Sequence, residues 1–260
     1  MEIDIFIPEL KIGIEYNGLR WHGEKFGKDR HYHLNKMNVA NSNGIKLIQI
    51  FEDEYLNHKD IVINKLKHIL HINDDNILKI GARKCIVKEI NKKNAETFLN
   101  KFHIQGYVNS KIHLGAFLED KLIGVMSFTK IQNEWVLSRF ATDYNYICSG
   151  IGGKLFSNFV NMYNPTTVKS FADRRWTINE NNLYTKLGFI CDEILKPEYR
   201  YYNHKLFGCN RMHKFGFRKQ ILHKKYGYPL TMTEYEMTKE MGCDRIWDCG
   251  LIKYVWKMKD

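Results

Sequence analysis

The first 22 residues carry Asp4, Glu15, Asn17 and His22 at short spacings, with Trp21 beside the last. Two carboxylates can hold a hard cation such as Mg2+ or Mn2+, which prefers oxygen ligands. A cation held in this way neutralises a scissile phosphate and activates water, while an imidazole moves the proton. Asp4 stands in the apolar run Ile3–Ile7, and Glu15 follows Ile12 and Ile14. A carboxylate on an apolar strand is costly unless it is paired or metal-bound. Edge-strand carboxylates facing water are the competing account for Asp4. The ensemble D-x10-E-x-N-x4-H points to phosphodiester hydrolysis. Asp4 and Glu15 would bind the metal, His22 would act as general acid or base, and Asn17 would position water or phosphate. Farther on, His33 and Lys36 share one helical face, either as phosphate-facing groups or as a solvated polar face. Glu52 is a weaker candidate at the end of a strand.

A second constellation lies at Val136–Tyr163, around the run Ser149, Gly150, Ile151, Gly152, Gly153, Lys154. A strand, a Gly-rich turn and a helix start make an anion site, because unpaired N–H groups and the helix dipole face the ligand. Arg174, Arg175 and Trp176 offer cations beside an aromatic ring, a set suited to phosphate and base contact. The stretch Lys196–Tyr226 holds nine Lys or Arg, including Arg200, Arg211, Lys214, Arg218 and Lys219, against the single acid Glu198. Aromatic residues are interleaved, so the stretch is read as a surface for double-stranded DNA. A basic solvated face over core aromatics is the alternative.

Charge follows the same division. Residues 1–75 contain 10 basic and 12 acidic residues; the rest contain 30 and 17, and the whole is +11. Clustered cations attract polyanions and release their counterions. At 260 residues, two domains are expected. No apolar run approaches the ~18 residues that a membrane span needs, and Met1–Leu10 has no basic start typical of a secretory leader. Six cysteines at zinc-free spacings suggest reduced thiols in a cytoplasm.

The elements needed to position these groups can be read from periodicity. Strands are expected at Ile3–Pro8, Leu10–Tyr16 and Ile45–Phe51, with helices at 29–43 and 60–72. The polar stretch 73–83 reads as a linker. After it come a strand at Cys85–Ile90, a helix at Asn91–Phe102, and strands at Leu114–Leu118, Lys121–Thr129 and Glu134–Phe140. A helix from the Gly-rich turn to Tyr163 leads to a strand at Val168–Ala172, a helix at Asn179–Leu187, and strands near Phe189 and Tyr199–Tyr202.

The runs IDIFIPELKIGIEYNGLRWHGE, RHYHLNK and GIKLIQIFEDE resemble the very-short-patch repair endonucleases and, more closely, phage-borne homing endonucleases of the PD-(D/E)xK class. This resemblance implies a small mixed-sheet nuclease domain over residues 1–72, with Asp4 as the metal-binding acid and catalytic groups around Asn17 and His22. Trp21 would support DNA stacking. The lysine of the usual ExK element is replaced by Asn17. The sequences SGIGGK and NENNLYTKLGF resemble the GNAT acyltransferases, and FADRRWT resembles the DNA-modifying Mom proteins of that fold. A GNAT-like mixed-sheet domain over 84–260 follows, with Ser149, Gly150, Gly152, Gly153 and Lys154 as the implied acetyl-CoA-binding residues. Ile147 stands where that family has Gln or Arg. The expected protein is therefore α/β (mixed α+β), a metal-dependent DNA endonuclease in a bacterial or phage-infected cytoplasm. The alternatives are an acyl-CoA-dependent DNA-modifying transferase and a catalytically silent DNA binder.

Overall fold

A computed structural model describes residues 2–72, 77–177 and 182–258. In chain order the elements begin β1 (Ile5–Ile7), β2 (Ile12–Asn17), α1 (Tyr32–Ser42), β3 (Lys46–Phe51), α2 (Glu52–Asn57) and α3 (Lys59–Ile69). Next come β4 (Leu78–Gly81), β5 (Cys85–Glu89), α4 (Lys92–Phe102), β6 (Ile112–Leu118), β7 (Lys121–Ile131), β8 (Glu134–Thr142) and β9 (Tyr146–Ser149). These are followed by α5 (Ile151–Tyr163), β10 (Thr167–Asp173), α6 (Leu183–Lys186), β11 (Ile190–Ile194) and β12 (Tyr199–Tyr202). The last are α7 (His204–Phe207), β13 (Arg211–His213), α8 (Lys219–Tyr226), α9 (Glu234–Glu240), β14 (Asp244–Trp247) and β15 (Leu251–Lys257).

These elements form two compact units that are not contiguous in sequence. One holds Met1–Asn57, Asp173–Ile178 and Leu195–Leu251; the other holds His58–Ala172, Asn179–Ile194 and Ile252–Asp260. The blocks 1–72 and 84–260 read from the sequence thus differ from the packed units. Helix α3, expected to close the first block, groups with the second unit. The basic stretch at 196–226 packs with the N-terminal segment.

In the first unit, β1 is antiparallel to β2, and β2 is parallel to β3, with Glu15 opposite Gln49. The acidic run after β3 is a helix rather than a loop. Glu54 accepts a hydrogen bond from the Phe51 backbone N–H at 3.2 Å, and three acids in the first turn suit the positive end of the helix dipole. A second sheet, β13-β12-β14, is antiparallel throughout. Leu19, Phe51, Tyr202 and Ile246 form a buried cluster joining early and late segments.

In the second unit, a seven-stranded mixed sheet runs β11-β15-β10-β8-β7-β6-β5. Val125 and Met126 on β7 point to opposite faces, as successive strand residues must. Val125 packs with Ala95, Phe98 and Leu99 of α4. Met126 packs with Leu155, Phe156 and Phe159 of α5. The α5 face is aromatic: the Phe128 and Phe159 rings stack with centroids 3.5 Å apart, and Trp135 meets Phe159 edge-on at 5.2 Å. A separate parallel pair, β4 with β9, joins residues inside the stretch 73–83, which was expected to be a linker, to the strand before the Gly-rich turn. The expected helix at Asn179–Leu187 is observed only as α6, and residues 178–181 lie outside the described residues.

Phe159 is fully buried between these rings. We expect Phe159→Ala to lower stability by about 3–5 kcal/mol, read as a lower urea midpoint by circular dichroism. A change below about 1 kcal/mol would show that this stack is not central to the core.

Candidate active site

The N-terminal polar set is brought together, but on bonds that satisfy it internally. Glu15 is 2% exposed. Its Oε2 accepts from Lys36 Nζ at 2.5 Å, and its Oε1 accepts from the Asp4 backbone N–H at 3.2 Å. Asp4 is exposed at a bend just before β1, and its Oδ2 accepts from the Tyr16 N–H at 2.8 Å. Asn17 donates to Gln49 Oε1, whose amide donates to the His33 carbonyl. Lys36 thus neutralises Glu15 from α1, a role that the sequence analysis gave to a phosphate.

His22 and His33 form a stacked pair with Nδ1 and Nε2 3.0 Å apart. One ring donates and the other accepts, so at least one proton is absent from the pair's full complement. Burial, then the Lys28 and Lys36 charges, lowers His22 from 6.5 to about 4. Burial, then His22, Arg211 and Arg175, lowers His33 to about 2. Both rings are neutral at pH 7.

The metal-dependent nuclease expectation is overturned here. Among the described residues there is no group of three or more His, Cys, Asp or Glu side chains that could hold a metal ion. Asp4 and Glu15 are therefore not assigned a Mg2+ or Mn2+ ion.

The residues expected to face DNA sort by burial. Trp21 is 55% exposed, with the Arg20 guanidinium 4.9 Å from its ring centroid and Phe26 edge-on. Arg218 is exposed, 4.3 Å from the Phe215 ring, which stacks on His213. Lys214 pairs with Glu198, and Lys219 is half-buried. Arg200 is half-buried, and burial, then Arg211, lowers its pKa. Arg174 donates to the Cys249 carbonyl at 3.2 Å, and Trp176 is half-buried. His33, Arg175 and Arg211 are buried. Arg175 is bidentate to Glu54 at 2.9 and 2.8 Å and also bonds Asp173; Arg211 pairs with Asp53 at 2.9 Å. Glu52 accepts from the Leu19 N–H at 2.8 Å. Sequence reading left Asp53 and Glu54 as a charged loop. Their arginine partners lie more than a hundred residues away, so no local pattern marks them.

The Gly-rich turn forms an open site in the second unit. Strand β8 carries a bulge at Ser138, and its parallel pairing with β10 spans only Trp135–Leu137 against Val168–Ser170. A bulge bends its strand, and Ser170 Oγ takes the Leu137 carbonyl at 2.9 Å where the pairing ends. Beyond that point the β8–β10 pairing does not continue among the described residues. Ser138 Oγ meets Thr129 Oγ1 at 2.6 Å, and Thr129 donates to Ser110, leaving a hydroxyl chain at the bulge. On the other side of the turn, Gly150 caps α5 with φ +82°, a left-handed conformation that favours glycine. A Cβ at Gly152 would meet Leu183 Cδ1 at 2.8 Å, whereas Gly153 faces open space. Ser149 is exposed. Lys154 turns away from the turn and donates to the Ala82 and Cys85 carbonyls at 3.0 and 2.5 Å.

No family model matches the chain, and no curated protein matches it. Among solved structures it resembles a GNAT family acetyltransferase from Elizabethkingia anophelis with acetyl-CoA bound, at 13% identity and TM-score 0.38, over 67% of this chain and 99% of that one. The ribosomal-protein-S18-alanine N-acetyltransferase of Escherichia coli is similar at 13% identity and TM-score 0.38, over 68% of this chain and 95% of that one. A putative streptothricin acetyltransferase from Bacillus anthracis, in complex with acetyl-CoA, is similar at 12% identity and TM-score 0.38, over 68% and 99%. The fold is mixed α/β, and the second unit is built on the seven-stranded mixed sheet. These neighbours are acetyltransferases by description, and they lend no support to the endonuclease resemblance, its hydrolase activity or a separate PD-(D/E)xK domain. No helix among the described residues is long and apolar enough to cross a membrane.

The buried charges set a pH dependence for the first unit. Burial alone would raise Glu54, but Arg175 and Arg211 outweigh it and hold the carboxyl at about 2. A depressed carboxylate stabilises the fold above its unfolded pKa, and this stability is lost as pH falls towards 2. The two depressed histidines act in the same direction, because below 6.5 the unfolded chain takes up their protons first. Stability should therefore fall from pH 7 to 5 by on the order of 1–2 kcal/mol per histidine. Urea unfolding at both pH values, with His33→Gln losing most of its share of the dependence, is the check. A flat profile would contradict the burial of this pair.

Proposed function

We propose that the second unit is an acyltransferase site that takes a coenzyme A thioester and transfers its acyl group to an amine. The observation that carries this is the end of the β8–β10 pairing after three residues, beside a glycine-capped turn that starts α5. An extended ligand arm fits where strand pairing ends, because backbone polar groups there need partners. The residues fit a diphosphate in their backbone: the α5 N-terminus presents N–H groups and the positive dipole end, with Gly153 unobstructed. They offer less from side chains, because Ile147 has no donor and Lys154 is committed to carbonyls.

When bound, an acyl-CoA would supply an activated thioester. The chain's own part is to hold the phosphates at Gly150–Gly153, to exclude water with the α5 aromatic core, and to place a proton donor. Tyr184, in the first turn of α6 and stacked on Tyr254 with centroids 4.7 Å apart, is the candidate phenol. The test is calorimetry with acetyl-CoA. Wild type should give saturable heat, and Gly153→Glu should bind at least tenfold more weakly, since its carboxylate enters open space and repels phosphate without a clash. Absence of heat at high micromolar acetyl-CoA, or equal binding by Gly153→Glu, defeats the reading.

We further propose double-stranded DNA as the partner of the first unit, either as substrate carrier or as ligand of a catalytically silent binder. Support comes from the excess charge and from the exposed pairs Arg20–Trp21 and Arg218–Phe215. Anisotropy of a labelled duplex should show affinity falling as salt rises. Arg218→Glu should weaken binding several-fold, and wild-type affinity in that variant would remove this surface. The free thiols of all six cysteines suit a reducing cytoplasm.

A further inference from the structure

The acyltransferase reading leaves one pair of nucleophilic side chains unused. Cys85 opens β5, immediately after the 3-10 turn Ala82–Lys84, and Cys148 lies on β9, two residues before Gly150. Their Sγ atoms are 3.7 Å apart. Cys85 is buried, whereas Cys148 is partly exposed. The surrounding backbone brings them together. Strand β4 runs beside β9 with Ile80 opposite Cys148, and the 3-10 turn then returns the chain to the same place at Cys85.

The two segments are already tied at two further points. Lys154 Nζ donates to the Ala82 and Cys85 carbonyls, and a Cβ at Gly150 would rest 3.7 Å from the Ala82 Cβ. A disulfide needs its sulfurs about 2.05 Å apart. From 3.7 Å, bond formation requires a closing movement of roughly 1.7 Å. The short turn Ala82–Lys84, next to Gly81, can absorb it.

We propose that Cys85 and Cys148 are a dithiol modification site, which a low-molecular-weight disulfide such as glutathione disulfide converts to an intramolecular disulfide that fixes the Gly-rich turn. The Cys148 thiolate attacks one sulfur of the oxidant and releases one thiol. The Cys85 thiolate then attacks the mixed disulfide at Cys148 Sγ, forms the protein S–S bond and releases a second thiol. The two protein thiol protons end on the two released thiols, and the oxidant is reduced by the two electrons that the protein loses. Attack starts at Cys148 because it is the member that solvent reaches. In its resting contact, burial and then Cys85 push the Cys148 thiol up to about 12, against a lowering by Lys154. Exchange is accordingly slow at neutral pH and faster as pH rises, since the thiolate is the nucleophile. The bond would hold the residues leading into Gly150 against the 3-10 turn, with consequences for any ligand at the α5 N-terminus. Its formation does not depend on the acyltransferase reading.

The experiment uses the full chain in buffers of stepped reduced-to-oxidised glutathione ratio, quenched with an alkylating agent and mapped by mass spectrometry. The expected product is a Cys85–Cys148 cross-linked peptide pair, two hydrogens lighter than its reduced parts. Cys191, Cys209, Cys243 and Cys249 should remain alkylated. Hydrogen exchange at 148–154 should slow on oxidation in wild type but not in Cys148→Ser, which is nearly isosteric. Two results would overturn the proposal: both thiols fully alkylated in the most oxidising buffer, or a stable mixed disulfide on Cys148 with Cys85 still free. Acetyl-CoA calorimetry on the oxidised and reduced forms is read separately. No binding by either form would count against the acyltransferase reading alone.

Discussion

Two guanidinium groups from the second half of the chain, Arg175 and Arg211, lie over the Phe51 ring at 4.9 and 3.6 Å from its centroid. They pair there with Asp53 and Glu54 of the helix that follows Phe51, and with Asp173. This network, with the buried cluster of Leu19, Phe51, Tyr202 and Ile246, joins the N-terminal segment to residues 173–178 and 195–251. Its worth is not simply additive. Burying ions costs desolvation energy that their attraction roughly offsets, whereas removing one partner leaves a bare buried charge at a cost of about 3–5 kcal/mol. Such a network therefore specifies which segments meet more than it stabilises their meeting. It also draws Arg211 out of the basic stretch and turns it inward.

The same constraint explains why the N-terminal polar cluster is quiet. Lys36 is held by Glu15, His22 by His33, and Asn17 by Gln49. Groups that can satisfy each other in a buried place leave little for a metal or a phosphate. At the Gly-rich turn the opposite holds. The bulge at Ser138 and the Ser170 bond to the Leu137 carbonyl end the pairing of β8 with β10, and the glycines leave backbone N–H groups without side-chain cover. One region of the molecule is satisfied internally and another stays open to a ligand.

Reading the sequence was most reliable where the signal is local. The Gly150 turn and the helix that it opens were legible because a left-handed cap requires glycine and the apolar positions Leu155, Phe156 and Phe159 recur at helical spacing. The strands β2, β3, β6, β7 and β8 were legible from alternating or continuous apolar runs. The spacing of Asp4, Glu15, Asn17 and His22 was also legible, and the structure does cluster these residues. Their chemistry was not, because one short lysine bond from α1 changes Glu15 from a ligand into an ion-pair partner.

By itself, then, the sequence determined many of the secondary elements, among them β2, β3, β7 and α5, the charge asymmetry and the position of the glycine-capped turn, all of which follow from residues close together in the chain. Tertiary structure alone decided which cations are buried, that β4 returns to pair with β9, that Cys85 meets Cys148, and that late segments complete the first unit. Each of those depends on partners far apart in sequence, from 63 residues for Cys85 and Cys148 to 223 for Glu24 and Trp247. Such pairings are set by complementary burial and charge across the folded chain, and no window of neighbouring residues contains them.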